Sequence, residues 1–427
     1  MGRRRLLIAF IILALAIVFF GCAKREVKEA IPTINVAFWG TPEEVNIIEN
    51  IIGPWQKAHS ELKVELQHTP FSGYVNKILT RVAGGAAPDV ICAEANLFVN
   101  LWGKDIFLDL NPFLEKDKEF SLSDFFPQVV RRFTVNGKLY GIPRDTAPFA
   151  CVYYNKKLFA EKKVSYPSEE WSWQDLLEKA KKLTKFDAQG RPVQYGFYAW
   201  AWQNFIYSNG GALVDNVEKP KRCLLDASAA IEGLEFYVDL IHKHKVSPTP
   251  SALINLGMGV QMMFMTGKLA MFSSGIWETP ILRKQEHFDW DVVMFPKGPQ
   301  GIRGFGTGGS AYCILKTTKY PNQAWQVVKA LTSKEAQTVL ADSGLAQPAN
   351  RKISEGEHFA LDNKLPHNKK MLNEAVQYVT YDPFHARWRE INELYIVPEL
   401  DLIFNGQETV KTGISKIAPA INKILAE

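Results

Sequence analysis

Four carboxylates, Glu43, Glu94, Asp145 and Glu278, stand where strands or turns end and could face a ligand. Two carboxylates across a cleft suffice for glycoside hydrolysis, one as acid and the other as base or nucleophile. No recognisable nucleophile or base arrangement accompanies them. HExxH, GxSxG and P-loop patterns are absent. The run Gly304-Phe305-Gly306-Thr307-Gly308-Gly309 has GxGxxG spacing, but Ala311-Tyr312-Cys313-Ile314-Leu315 continues it as a strand where a dinucleotide site needs a helix. It reads instead as a glycine-rich strand edge that lets a ligand approach the backbone. His242 and His244 are two apart, a spacing that does not share a helix face, so no metal pair is expected. Cys92, Cys151, Cys223 and Cys313 lack CxxC spacing and read as small buried hydrophobes. A carboxylate pair stays open, but the missing nucleophile and base arrangement lowers the expectation of an enzyme; no cofactor and no metal are expected.

The elements that would position these groups alternate. A strand at 34–39 stops at Gly40-Thr41-Pro42, and a helix to about His59 follows, with Thr41 as cap and Pro42 at its first position. A strand at 62–67, a helix at 73–83, a strand at 88–93 and a helix at 94–103 continue the alternation. This argues for α/β architecture with a mainly parallel sheet, in which ligands bind beyond the carboxyl ends of strands. Trp39, Glu43, Glu94 and Asn96 fall at such ends. Further strands are expected at 152–155 and 268–272, and a helix at 226–244. Capping boxes are read at Ser172…Asp175 and Thr332…Glu335, with Gly344 as a C-cap. Trp171, Trp173 and Trp325 keep helix-core spacing and are assigned to packing.

With 427 residues, 47% hydrophobic and 22% charged, the chain has globular proportions and length for about two or three domains. Lys+Arg is 50 against 45 for Asp+Glu; removing Arg3, Arg4 and Arg5 leaves 47 against 45, or +2. That balance carries no footprint for nucleic acid. Aromatic content is high, with 11 Trp, 14 Tyr and 26 Phe.

The first residues have a separate logic. Arg3-Arg4-Arg5 precedes fifteen unbroken apolar residues, 6–20, shorter than the roughly 20 that span a bilayer. This reads as a secretory signal at 1–21. Phe19-Phe20-Gly21-Cys22 resembles the bacterial lipobox, with Phe19 where Leu is usual. The resemblance implies acylation of Cys22 as the first mature residue, a polar tether at 22–32, and anchoring to a bilayer through Cys22.

Several stretches then fall in a telling order. They are Gly141-Ile142-Pro143-Arg144-Asp145, Tyr153-Tyr154-Asn155-Lys156-Lys157-Leu158-Phe159-Ala160-Glu161, Trp171-Ser172-Trp173, Ser208-Asn209-Gly210-Gly211 and Gly267-Lys268-Leu269-Ala270-Met271-Phe272…Gly275-Ile276-Trp277. Phe295-Pro296-Lys297-Gly298-Pro299, Leu331-Thr332-Ser333-Lys334-Glu335 and Gln347-Pro348-Ala349-Asn350 complete the series. The set resembles the extracellular solute-binding proteins of carbohydrate ATP-binding-cassette importers, the maltodextrin-binding-like family, over nearly all of the mature chain. The resemblance implies a two-lobed periplasmic-binding-protein fold of type II with a ligand cleft between the lobes. Lobe one is expected at 33–145 and 292–335, lobe two at 146–291 and 336–427, with chain crossings near Asp145, Asp291 and Glu335, each to within several residues.

The same resemblance implies a carbohydrate ligand, a permease partner, an extracytoplasmic lipid-anchored location and a monomer. Aromatic rings cover the C–H face of a sugar, and carboxylates, amides and Arg bind its hydroxyl rim. Candidates at the implied positions are Trp277, Trp200, Trp388, Trp39, Glu43, Asn96 and Asp145, then Arg303 and Gly308, with Tyr381 and Arg387 unranked. Competing expectations are a lipid-anchored glycoside hydrolase and the same scaffold holding a non-sugar solute. A polyamine would require a dense acidic site, and a phosphate ester would require Arg or helix N-termini.

Overall fold

A computed structural model describes residues 31–427. The signal segment 1–21, Cys22 and most of the 22–32 tether lie outside the described residues. Among the described residues, no helix is long and apolar enough to cross a membrane.

Two sheets carry the architecture. Their strands, in chain order, are β1 (Thr33–Trp39), β2 (Lys63–Thr69), β3 (Val90–Glu94), β4 (Ile142–Thr146), β5 (Cys151–Asn155), β6 (Tyr198–Ala199), β7 (Met271–Ser274), β8 (Trp290–Met294), β9 (Ser310–Ile314) and β10 (Gln347–Pro348). The first sheet is six-stranded in the order β10-β4-β9-β3-β1-β2, and the second is four-stranded in the order β6-β7-β5-β8. Each sheet has its own buried core, one around Phe38, Phe98 and Tyr312, the other around Tyr153, Phe205 and Trp290. These two cores are the two lobes.

The sheets are more mixed than the alternation suggested. β1 pairs in parallel with β2 and β3, but β9 runs antiparallel to both β3 and β4, and β5 runs antiparallel to β7 and β8. A parallel neighbour needs a crossover within one lobe. β9 instead arrives from the other lobe, and so enters in the opposite sense.

Sheet membership also redraws the crossings. The first lies at 147–150, between β4 and β5. Asp291 is inside β8 of the second sheet, so the second crossing moves to 295–309. Glu335 is inside the helix Lys334–Ser343, which packs on the helix Pro42–Ala58 and leads into β10 of the first sheet; the third crossing moves beyond Asn350. The second crossing coincides with a run rich in glycine and proline, Phe295-Pro296-Lys297-Gly298-Pro299 through Gly308-Gly309. The first two crossing segments pair with each other: Phe149 donates its N–H to the Gly306 carbonyl at 2.9 Å, and Gly308 to that of Ala147 at 3.0 Å.

Local chemistry explains the helices nearest the cleft, α1 (Pro42–Ala58), α2 (Phe71–Ala83) and α3 (Ala95–Trp102). Thr41 caps α1, with Pro42 at its start, and the Glu44 carboxylate accepts the Thr41 N–H at 2.5 Å to close a capping box. The box at Ser172 and Asp175 forms as expected. The box read at Thr332…Glu335 does not. Thr332 ends the preceding helix, its hydroxyl donating to the Val328 carbonyl at 2.8 Å, and Ser333 is the cap, accepting from the Ala336 N–H at 3.1 Å. Gly344 closes that helix at φ +75°, a conformation glycine adopts without strain. Trp171, Trp173 and Trp325 are buried, and Cys92, Cys151, Cys223 and Cys313 are buried and free.

Candidate ligand-binding cleft

A cavity of about 960 Å³ lies between the lobes. Eight of the nine candidate residues line it: Trp39, Glu43, Asn96, Asp145, Trp200, Trp277, Gly308 and Trp388. Arg303 does not. Its guanidinium donates to the Glu169 carbonyl at 2.6 Å and the Phe295 carbonyl at 3.4 Å, and it pairs with Glu170 at 3.5 Å. It ties the 295–303 loop into the second lobe, where an Arg beside chain carbonyls finds partners without a ligand. Tyr381 and Arg387 are also outside the lining. The Arg132 guanidinium lies 5.2 Å from the Tyr381 ring centre, and Arg387 pairs with Glu390 and Glu427.

On the first lobe, β1 ends at Trp39, whose ring packs on Phe71 and Tyr74 with centroids 5.8 and 5.2 Å away. The Arg144 guanidinium sits 5.8 Å from the Trp39 ring centre. β3 ends at Glu94, whose carboxylate caps α3 by accepting from the Asn96 and Leu97 N–H groups at 3.0 and 3.3 Å. That cap sets Asn96 at the cavity wall. Asp145 does two things at once: it faces the cavity, and it ties β4 to β9. It accepts from Ser310 N–H at 3.0 Å and Ser310 Oγ at 2.7 Å, and pairs with Arg144 Nε at 2.9 Å.

On the second lobe, Phe149, Trp200 and Trp277 form an aromatic corner. Each pair meets edge to face, with centroids 4.9 Å (Phe149–Trp200), 5.9 Å (Phe149–Trp277) and 5.6 Å (Trp200–Trp277) apart. Trp200 remains 50% exposed, so much of its ring surface is open to a ligand. Phe149 reaches the corner because Gly306 is beneath it; a Cβ there would approach the ring to 2.8 Å. Next to Trp277, the Glu278 carboxylate accepts from Ser274 Oγ at 2.7 Å and Gln261 Nε2 at 2.8 Å.

The C-terminal region closes the floor. Trp388 and Asp382 line it, and neighbouring Phe384 packs on Phe98 and Trp102 of the first lobe. Lobe-to-lobe contacts flank the cleft. Glu43 pairs with Lys284 at 2.5 Å, and the Arg389 guanidinium donates to the Asn76 side-chain oxygen at 2.9 Å. An apolar contact joins Ile47, Leu340 and Trp277. These contacts join the two lobes on either side of the cleft.

Electrostatics in the cleft favour neutral acids. Burial raises Glu94 to about 7, assisted by the negative charge of Asp382 and opposed by its two backbone hydrogen bonds. Burial also raises Asp382, Glu278 and Glu44. Glu43, by contrast, is lowered by its hydrogen bond to Lys284.

Sequence reasoning did not assign Phe149, Arg144, Glu44, Asp382, Gln261 or Arg389 to the lining, and all six are there. Arg144 and Glu44 adjoin residues that were assigned, which was the available signal. Phe149 and Asp382 come from a crossing and a loop with no motif.

A family model described as bacterial extracellular solute-binding protein matches residues 40–338. An ABC substrate-binding protein from Listeria monocytogenes, solved in complex with cycloalternan, superposes with a TM-score of 0.84 at 25% identity, covering 92% of this chain and 99% of that one. The arabinooligosaccharide-binding protein of Halalkalibacterium halodurans is 24% identical over 337 residues, 75% of this chain and 69% of its own. A protein of Streptomyces antibioticus described as an uncharacterized lipoprotein is 25% identical over 313 residues, 70% of this chain and 66% of its own. Two lobes, a cleft lined from both, and a family match over most of the chain agree: the chain belongs to the bacterial extracellular solute-binding proteins.

Proposed function

We propose that this protein captures a saccharide between its lobes outside the cytoplasm and hands it, chemically unchanged, to the permease of an ATP-binding-cassette importer. The observation that carries the reading is the pairing, in one cavity, of the Phe149–Trp200–Trp277 corner with carboxylates and amides from the opposite lobe. Rings cover the C–H face of a sugar while the polar groups hold its hydroxyls. A volume of about 960 Å³ suits an oligosaccharide better than a single ring. The sugar-binding descriptions of the Listeria and Halalkalibacterium relatives support the same ligand class. Capture drives closure because contacts from both lobes exist only in the closed form. Acylation at Cys22 keeps the protein at the membrane face near its permease, a monomer on a short tether.

A hydrolase reading draws on one observation: Glu94, at about 7, would be protonated enough at neutral pH to act as a general acid. Titration of the mature protein with mono- and oligosaccharides, followed by Trp fluorescence and calorimetry, separates the two. Saturable binding with the sugar recovered intact supports capture. Fragments on thin-layer chromatography would replace it with hydrolysis. Silence across the panel would overturn the saccharide reading.

A further inference from the structure

We propose that the saccharide held in this cleft carries protonated amino groups. This rests on the saccharide reading above and adds a charge to it. The cavity is lined by seven carboxylates and only two guanidinium groups. Three of the acids are already neutralised: Asp145 by Arg144 at 2.9 Å, Glu393 by Arg389 at 2.7 Å, and Glu43 by Lys284 at 2.5 Å. Both lining guanidinium groups are thereby taken. Glu44, Glu94, Glu278 and Asp382 remain, and among the described residues none has a Lys, Arg or His nitrogen within 4.0 Å.

The nearby cations act on these acids only from beyond 4.0 Å, and one of them, Arg132, is buried without an ion pair of its own among the described residues. Arg132 influences Glu94 and Asp382, but it donates to the Ala95 carbonyl at 3.4 Å and lies over the Tyr381 and Phe384 rings. Arg144 and His68 influence Glu44; Arg144 is paired with Asp145, and His68 Nε2 meets the Gly40 carbonyl at 2.7 Å. Glu278 is held by the Ser274 hydroxyl, the Gln261 amide and the Trp277 side chain, none of them charged.

Burial without a close counter-charge holds these four acids toward their neutral forms, and a neutral sugar would leave them there, whereas a cation held against them would draw them to the charged form. An ammonium group supplies both the donors and the charge. The aromatic corner adds to the attraction, since ring faces favour cations. Ser273 Oγ gives a second, independent sign of a missing polar partner. It borders the cavity, is fully buried, and has no hydrogen-bond partner among the described residues. A linear polyamine would satisfy the acids but leave the broad ring surfaces without a flat partner, so an amino-bearing saccharide uses more of the site.

Calorimetry on the mature protein with matched pairs tests this. Suitable probes are glucosamine against glucose, galactosamine against galactose, and chitosan oligomers against their N-acetylated counterparts, with spermidine as a non-sugar amine. The expected result is that an amino-bearing member binds about tenfold or more tighter than its neutral partner. That preference should shrink as NaCl rises from about 0.05 to about 0.5 M. It should also disappear in the combined variant Glu44→Gln, Glu94→Gln, Glu278→Gln, Asp382→Asn, with folding checked by circular dichroism. Equal or tighter binding of a neutral sugar would overturn the inference and leave the saccharide reading standing. Binding of spermidine without any saccharide would overturn both. Failure of every amino-bearing saccharide to bind would overturn the inference.

Discussion

Gly275 is what allows Trp277 to fold back over its own backbone: a Cβ on Gly275 would stand 1.8 Å from Cζ3 of the Trp277 ring. The ring's place against Phe149 and Trp200 therefore depends on a missing side chain two residues earlier. Gly275→Ala should push the indole out of the corner and mimic Trp277→Ala. Both should weaken saccharide binding about tenfold or more, ~1.4 kcal/mol, while circular dichroism stays unchanged. Wild-type affinity in the Trp277 variant would remove that ring from the site.

Asp145 and Ser310 hold the first lobe together beside the hinge. Asp145→Ala removes the acceptor for both Ser310 donors and strands Arg144, which is 6% exposed. Leaving a buried guanidinium unpaired costs about 3–5 kcal/mol, which urea unfolding would register. Asp145→Asn, which keeps an acceptor, should lose less.

Glu94 should make the ligand-free protein less stable as pH rises. Its carboxyl stands at about 7 in the fold against 4.5 as the ordinary value. The folded state thus binds more protons than the unfolded state between those values, and stability falls as pH rises from 4.5 through 7. Glu94→Gln keeps an acceptor for the cap of α3 and removes the charge. It should raise stability at pH 8 by at most about 3 kcal/mol and leave it little changed at pH 4. A melting temperature at pH 8 no higher than wild type would contradict the assignment.

The Glu43–Lys284 pair bridges the lobes where both side chains are exposed, at 38% and 59%. Lys284→Ala should shift the ligand-free protein toward open forms, enlarging its radius of gyration in small-angle scattering at low salt. High salt should produce the same shift in the wild type by screening the pair. An unchanged radius in both experiments would deny the pair a role in closure.

Arg303 serves the second lobe rather than the ligand. Arg303→Ala leaves the Glu169 and Phe295 carbonyls without their donor and should cost about 1–3 kcal/mol of stability. Saccharide affinity should not move. A large loss of affinity with unchanged stability would return Arg303 to the cleft.

Much of the first lobe was legible because its early chain is locally consistent. Strand, cap and helix follow one another from Thr33 to Trp102, so Trp39, Glu94 and Asn96 could be put at strand ends before any contact was known. The cap at Thr332…Glu335 was misread by one residue because Thr332 and Ser333 are both competent caps, and only the backbone turn at Ser333 selects between them. The crossing near Asp291 was expected to within several residues, and the segment 295–309 begins that close to it; the one near Glu335 falls short of Asn350 because hydrophobic periodicity reports burial in a core, and both lobes have one.

The sequence alone determined which segments are strands and helices, which Trp residues pack in cores, and the order of motifs that marks the family. It did so through short-range rules of period, capping and turn chemistry. Tertiary structure decided the composition of the cleft. Phe149, Asp382 and Arg389 reach it from a crossing and from C-terminal segments far along the chain, and Arg303, close to the glycine run, is turned away. A cleft between lobes is made of residues distant in sequence, and its excess of unpaired acid emerges only once Arg144, Lys284 and Arg389 have taken their partners across the fold.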